Sequence, residues 1–255
     1  MVNRSLPAPP SWFDGLDPPG QPGPRLFCLP HAGGGGRFFQ PWRRALAPKI
    51  AVRPVVPPGR EGRFREPPYE RMAPLVAGIV EALRPELDRP FALFGHSLGA
   101  AVAYETALRL RQLSMPEPIC LFVSGRRAPA LPNPPPYLHL LDDQQFAQEM
   151  VRLAGTPPTI LERPRVMQFL VPTMRADYTI HELYQPTPAK PLDYPVFGYA
   201  GAEDPIAPPA EVDAWHEVTT GQFTTRVFPG GHFYLKEHPD QVLANVQQDL
   251  ADALP

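Results

Sequence analysis

Short, continuous apolar runs alternate along this chain with longer segments whose apolar positions recur at helical spacing. The runs at residues 25–30, 50–56, 91–94, 119–124 and 194–200 predict strands, and the β-branched and aromatic stretch at 223–228 a last one. Between them, residues 38–46, 69–83, 100–110 and 239–253 predict helices. In the second of these, Met72, Leu75, Val76, Ile79, Val80 and Leu83 share one side. Strands that alternate with helices imply βαβ units, hence an α/β fold with a mainly parallel sheet flanked by helices. The rhythm breaks over residues 126–188, where a proline-rich lead-in precedes helical patterns at 142–153 and 166–178. An insertion of that size between two sheet strands is expected to rise above the strand ends as a helical lid.

The 39 prolines crowd into residues 7–24, 54–58, 128–136 and 157–164, marking tails and connections. Residues 1–24 read as a Pro/Gly-rich tail, with Trp12 and Phe13 placed to pin it to the body, and residues 25–255 as one domain. A 43% hydrophobic chain with net charge −2 gives no sign of a nucleic-acid or membrane-surface partner. No apolar run reaches the roughly 18 residues of a spanning helix, and the N-terminus lacks a signal peptide's apolar stretch. Cys28 and Cys120 both fall in strand-like runs and are expected to be buried thiols. A monomeric, cytoplasmic protein is expected.

The strand at residues 91–94 ends in Gly95-His96-Ser97-Leu98-Gly99-Ala100, and a helical pattern follows at once. Gly-x-Ser-x-Gly between a strand and a helix predicts a nucleophile elbow. Gly95 and Gly99 let the two backbones approach, and the helix N-terminus points at Ser97. The alternative is that Ser97 merely caps the helix. A serine nucleophile needs a base, and the base needs an orienting acid. Of seven histidines, only His232 follows the terminal strand on a glycine turn. Asp204 follows the preceding strand and is held by Pro205, with Glu203 as its rival. The order Ser…Asp…His is that of α/β-hydrolases. The glycines after His31-Ala32 fit neither a dinucleotide fingerprint nor a P-loop. They suit either a flexible turn or an oxyanion loop, in which the N–H groups of Ala32 and Leu98 would be the donors and His31 a brace. No cofactor and no metal is called for by this chemistry.

The chain resembles the type II thioesterases, free-standing α/β-hydrolases that serve polyketide and nonribosomal peptide synthases. The resemblance is carried by Leu26-Phe27-Cys28-Leu29-Pro30-His31-Ala32-Gly33-Gly34, Phe38-Phe39-Gln40-Pro41-Trp42 and Pro58-Gly59-Arg60. It continues through Gly95-His96-Ser97-Leu98-Gly99-Ala100, Ser124-Gly125-Arg126-Arg127-Ala128-Pro129, Gly155-Thr156-Pro157-Pro158 and residues 170–178. It ends with Asp204-Pro205 and Gly230-Gly231-His232-Phe233. Two departures are the run of four glycines and the first 24 residues, which lie outside the pattern.

The resemblance implies hydrolysis of acyl thioesters on the phosphopantetheine arm of an acyl or peptidyl carrier protein, in an editing role. It makes Ser97 the nucleophile, Asp204 and His232 its partners, Ala32 and Leu98 the oxyanion donors, and the insertion a lid. Phe146, Met150, Met167, Phe169 and Met174 are the expected walls of an acyl chamber, Met suiting acyl groups of varied shape. Two competing readings are a general carboxylesterase or lipase acting on free esters, and a non-catalytic carrier-binding protein. The intact Ser97, Asp204 and His232 argue against the latter.

Overall fold

A computed structural model describes residues 11–13, 23–133, 135–153, 159 and 161–254. Six strands form one sheet in the order β2-β1-β3-β4-β5-β6, every neighbouring pair parallel. They are β1 (Arg25–Leu29), β2 (Ala51–Pro54), β3 (Phe91–His96), β4 (Leu121–Ser124), β5 (Val196–Gly201) and β6 (Phe223–Phe228). β1 is flanked by β2 on one side and β3 on the other, so the chain reverses its direction of sheet growth there. Loops leaving the carboxyl ends of β1 and β3 diverge to opposite faces and open a crevice, the place where such sheets bind ligands.

The helices are α1 (Gln40–Leu46), α2 (Met72–Leu83), α3 (Leu98–Gln112), α4 (Asp143–Arg152), α5 (Pro164–Glu182), α6 (Pro209–Asp213), α7 (Tyr234–Glu237) and α8 (Pro239–Asp252). The inner strands β3, β4 and β5 are buried throughout because both faces of the sheet are covered there, whereas edge strand β6 is half-buried and exposes Val227. Strand alternation splits β3: Phe91 and Leu93 pack with α2 and α3, whereas Ala92 and Phe94 pack with α1 and α8. Cys28 and Cys120 are buried free thiols. No helix among the described residues is long and apolar enough to cross a membrane.

Several boundaries differ from those predicted. β2 stops at Pro54, and Val55 forms an antiparallel bridge with Phe13 instead. Phe13 is buried, and Trp12 stacks on Tyr69 with the Arg63 guanidinium 4.0 Å from its ring. Trp12 and Phe13 therefore do fasten the N-terminal segment. Except for residues 11–13, 23 and 24, the Pro/Gly tail lies outside the described residues, as do residues 155–158. Between β4 and β5, α4 and α5 pack through Phe146, Ala147, Met150 and Val171 into a hydrophobic cluster of their own. α5 is longer than its predicted pattern at both ends, with Pro164 in its first turn and Pro172 carried inside.

Candidate active site

β3 and α3 meet at Ser97, whose φ of 55° and ψ of −119° are strained for a residue with a side chain. The turn is this tight because two positions have no Cβ. A Cβ on Gly95 would lie 2.1 Å from the Gly99 carbonyl oxygen, and one on Gly99 would lie 2.2 Å from that of Leu29. The Ser97 N–H donates to the Ser124 carbonyl at 2.8 Å, fixing the elbow to β4. Its hydroxyl makes no capping hydrogen bond, so capping is not what the side chain does here. Leu98 is the first residue of α3, and the helix itself makes no use of its N–H.

Two further strand ends deliver the remaining groups. Asp204 follows β5 in a turn that places one carboxylate oxygen under two backbone donors. Its Oδ1 accepts from the N–H groups of Ile206 at 2.8 Å and Ala207 at 3.2 Å. Oδ2 faces His232 Nδ1 at 2.7 Å, and the Asp204 side chain is wholly shielded from solvent. His232 follows β6 on Gly230, which has a φ of 95°. The Glu203 N–H donates to the Gly230 carbonyl at 3.0 Å, tying the two turns together, while the Glu203 side chain faces solvent. Of the two acids predicted as rivals, Asp204 is the one brought to the histidine.

Ser97, His232 and Ala32 share the wall of one cavity of about 270 Å³. Residues 31–34 form a turn closed by the Gly34 N–H donating to the His31 carbonyl at 2.9 Å, with Gly33 at a φ of 76°. The His31 ring packs against Phe38 and Phe233. Burial, then the charges of Lys236, His232 and Arg60, lowers its pKa to about 3. Burial also holds His96 and His181 well below the usual imidazole range. These three rings stay neutral around His232.

The predicted chamber is corrected in part. Met150 and Met174 line the cavity. Phe146 is fully buried behind that wall, against Tyr178 and under the Arg175 guanidinium. Met167 packs on the same cluster but outside the cavity lining. Phe169 is 73% exposed and is no wall at all. Five residues from Met174 on α5, it is rotated by about 140° to the far side of the helix. Sequence reasoning missed Leu153, Tyr178, His181 and Arg126, which line the cavity too. Arg126 lies in the Ser124-Gly125-Arg126-Arg127 motif and donates to His181 Nδ1. Its burial brings its pKa down to about 10. Nothing in the spacing of these residues signals that they converge.

A family model described as Thioesterase domain matches residues 24–250. The thioesterase PikA5 of Streptomyces venezuelae is 39% identical over 240 residues, covering 94% of this chain and 85% of its own. The gramicidin S biosynthesis protein GrsT of Aneurinibacillus migulanus is 38% identical over 213 residues, covering 84% of this chain and 83% of its own. Among solved structures, the type II thioesterase BorB from the borrelidin biosynthetic cluster superposes with a TM-score of 0.85 at 37% identity, covering 94% of this chain and 99% of that one. With its parallel sheet, elbow and cavity, the chain belongs to the thioesterase domain family, on an α/β-hydrolase fold, and is similar along nearly its whole length to a type II thioesterase.

Proposed function

We propose that this protein is a serine thioesterase that removes acyl groups from the phosphopantetheine arm of acyl or peptidyl carrier proteins, clearing aberrant or stalled intermediates of a modular synthase. The observation that carries this reading is His232 in the wall of the cavity that the elbow serine also lines, with Asp204 paired to it from behind at 2.7 Å. In the reaction, Ser97 Oγ attacks the thioester carbonyl carbon and its proton passes to His232 Nε2. Asp204 holds the tautomer with Nδ1–H and stabilises the imidazolium that forms. The N–H groups of Ala32 and Leu98 receive the tetrahedral oxyanion, each such donor being worth about 2.7–4 kcal/mol where it has been removed elsewhere. Collapse breaks the C–S bond, and the pantetheine thiol leaves with the proton from His232. Water, deprotonated by the same ring, then releases the acid from Ser97.

α4 and α5 serve as the lid over the acyl chamber, with Met150 and Met174 as its adaptable surface. A carrier docked outside contributes binding energy remote from the scissile bond, which can orient the thioester. The test is a matched pair of substrates, one acyl group on a carrier and the same acyl on a short thiol. kcat/KM is expected to be at least tenfold higher for the carrier-bound group. Equal efficiency on both, or a preference for free oxygen esters, would replace this reading by that of a general esterase.

A further inference from the structure

One face of α5 is built against the loop that bears Ala32. Thr173, Met174 and Asp177 form a stripe down the helix. Thr173 Oγ1 donates to the Gly59 carbonyl at 3.0 Å. Met174 fills the space at Gly33, where a Cβ would lie 2.9 Å from its Cγ. Asp177 Oδ2 accepts from the Gly33 N–H at 2.7 Å and from Arg60 at 2.7 Å, and Oδ1 accepts from Arg60 at 2.8 Å. Arg60 in turn donates to the Gly34 carbonyl at 2.8 Å. Asp177 is 4% exposed and Arg60 9%. One buried ion pair thus grips the two peptides that flank Gly33-Gly34 and spans three segments that are far apart in the chain. Neither residue lies in the wall of the cavity that holds Ser97.

A buried ion pair is a poor way to gain stability, because desolvating both groups offsets most of their attraction. What this pair does gain is position. The turn at residues 31–34 is rich in glycine and has little torsional preference of its own. An N–H aimed to within a few tenths of an ångström at a developing oxyanion needs an outside support. We infer that Asp177 and Arg60 are positioning residues that hold the Ala32 donor in register, so that seating of α5 and completion of the oxyanion hole are one event. This rests on the proposed serine mechanism and adds to it a control point that does not touch substrate.

The test uses the full chain and a short acyl thioester, so that carrier docking does not enter, with Ser97→Ala assayed beside it. Three forms are compared: wild type, Asp177→Asn, and the double variant Arg60→Met with Asp177→Leu. Replacing a buried ion pair by apolar groups commonly costs little in itself. Here the Gly33 N–H and the Gly34 carbonyl also lose their partners, so the double variant is expected to melt several degrees or more below wild type and is assayed well below its melting temperature. Its kcat is expected to fall at least 30-fold with KM within threefold, because ground-state binding does not use the oxyanion donors. Asp177→Asn keeps an acceptor for Gly33 but loses the bidentate pair, and its kcat should fall between the other two. A double variant with wild-type kcat, or any other order of the three, would overturn the inference. Full activity in Ser97→Ala would instead overturn the serine mechanism beneath it, so the two failures are distinct.

Discussion

Asp204→Asn separates orientation of His232 from every other role of this site, because the surroundings dictate how the new amide must point. Oδ1 of Asp204 accepts two backbone N–H groups, from Ile206 and Ala207. An asparagine keeps its carbonyl oxygen there, since turning its NH2 towards two donors would forfeit both bonds at about 1–3 kcal/mol each. The NH2 must then face His232 Nδ1, now at 2.7 Å from Oδ2. Nδ1 becomes an acceptor, the ring's hydrogen moves to Nε2, and His232 can no longer take the Ser97 proton. Restoring the useful tautomer costs roughly 3 kcal/mol, about 100-fold in rate. Loss of the anion beside the imidazolium adds about 2–3 kcal/mol, the scale of a hydrogen bond to a charged group. Together these predict a fall in kcat of about 10⁴, the size seen for the equivalent change in chymotrypsin-type sites. Every hydrogen bond keeps a partner, so the melting temperature should move by only a few degrees. The assay is steady-state hydrolysis of a short acyl thioester with calorimetry on the same samples, and solvent-facing Glu203→Gln is expected to stay within twofold of wild type. Asp204→Asn activity within tenfold of wild type, or a crippled Glu203→Gln, would refute the assignment.

Burial keeps the His31, His96 and His181 rings neutral, so none of them should add a step to the acid side of the log kcat/KM profile; a limb steeper than unit slope would show that one of them takes up a proton there. Those same rings would titrate near about 6.5 once unfolded. The unfolded chain therefore binds more protons, and stability falls below about pH 6.5, by at most about 1.4 kcal/mol per pH unit for each ring, continuing towards about 3 for His31. Urea titrations at stepped pH measure this, and a flat acid limb would contradict it. Gly99→Ala should destabilise by about 1–3 kcal/mol or more, since its Cβ meets the Leu29 carbonyl at 2.2 Å, while Gly62→Ala, with open space at its Cβ, is expected to be neutral. Phe169→Ser should leave short-thioester turnover within twofold, whereas Met150→Ala, which enlarges the cavity, should raise the long-to-short acyl preference at least threefold.

The elbow was legible because it is local: strand, Gly-x-Ser-x-Gly and helix fix the backbone within a dozen or so residues. Asp204 and His232 were legible from chain order and from their places just after strands, where a parallel sheet gathers its loops. The chamber was not. Which side of α5 faces the cavity depends on helical phase relative to the sheet, and that is set by tertiary packing; Phe169 shows the error that results. The short helix Pro209–Asp213 is too brief to show an apolar period, although Pro209 suits a first helical turn. Arg60 and Asp177, 117 residues apart, carry no local signal of their pairing.

Intact-protein and peptide mass spectrometry, after rapid acid quenching of wild type mixed with a slowly deacylated acyl thioester, reads out whether Ser97 is the nucleophile. Wild type is expected to carry one acyl group in ester linkage to Ser97 Oγ, and Ser97→Ala neither acyl adduct nor turnover. An acyl group on any other residue, or undiminished turnover in Ser97→Ala, would contradict that role.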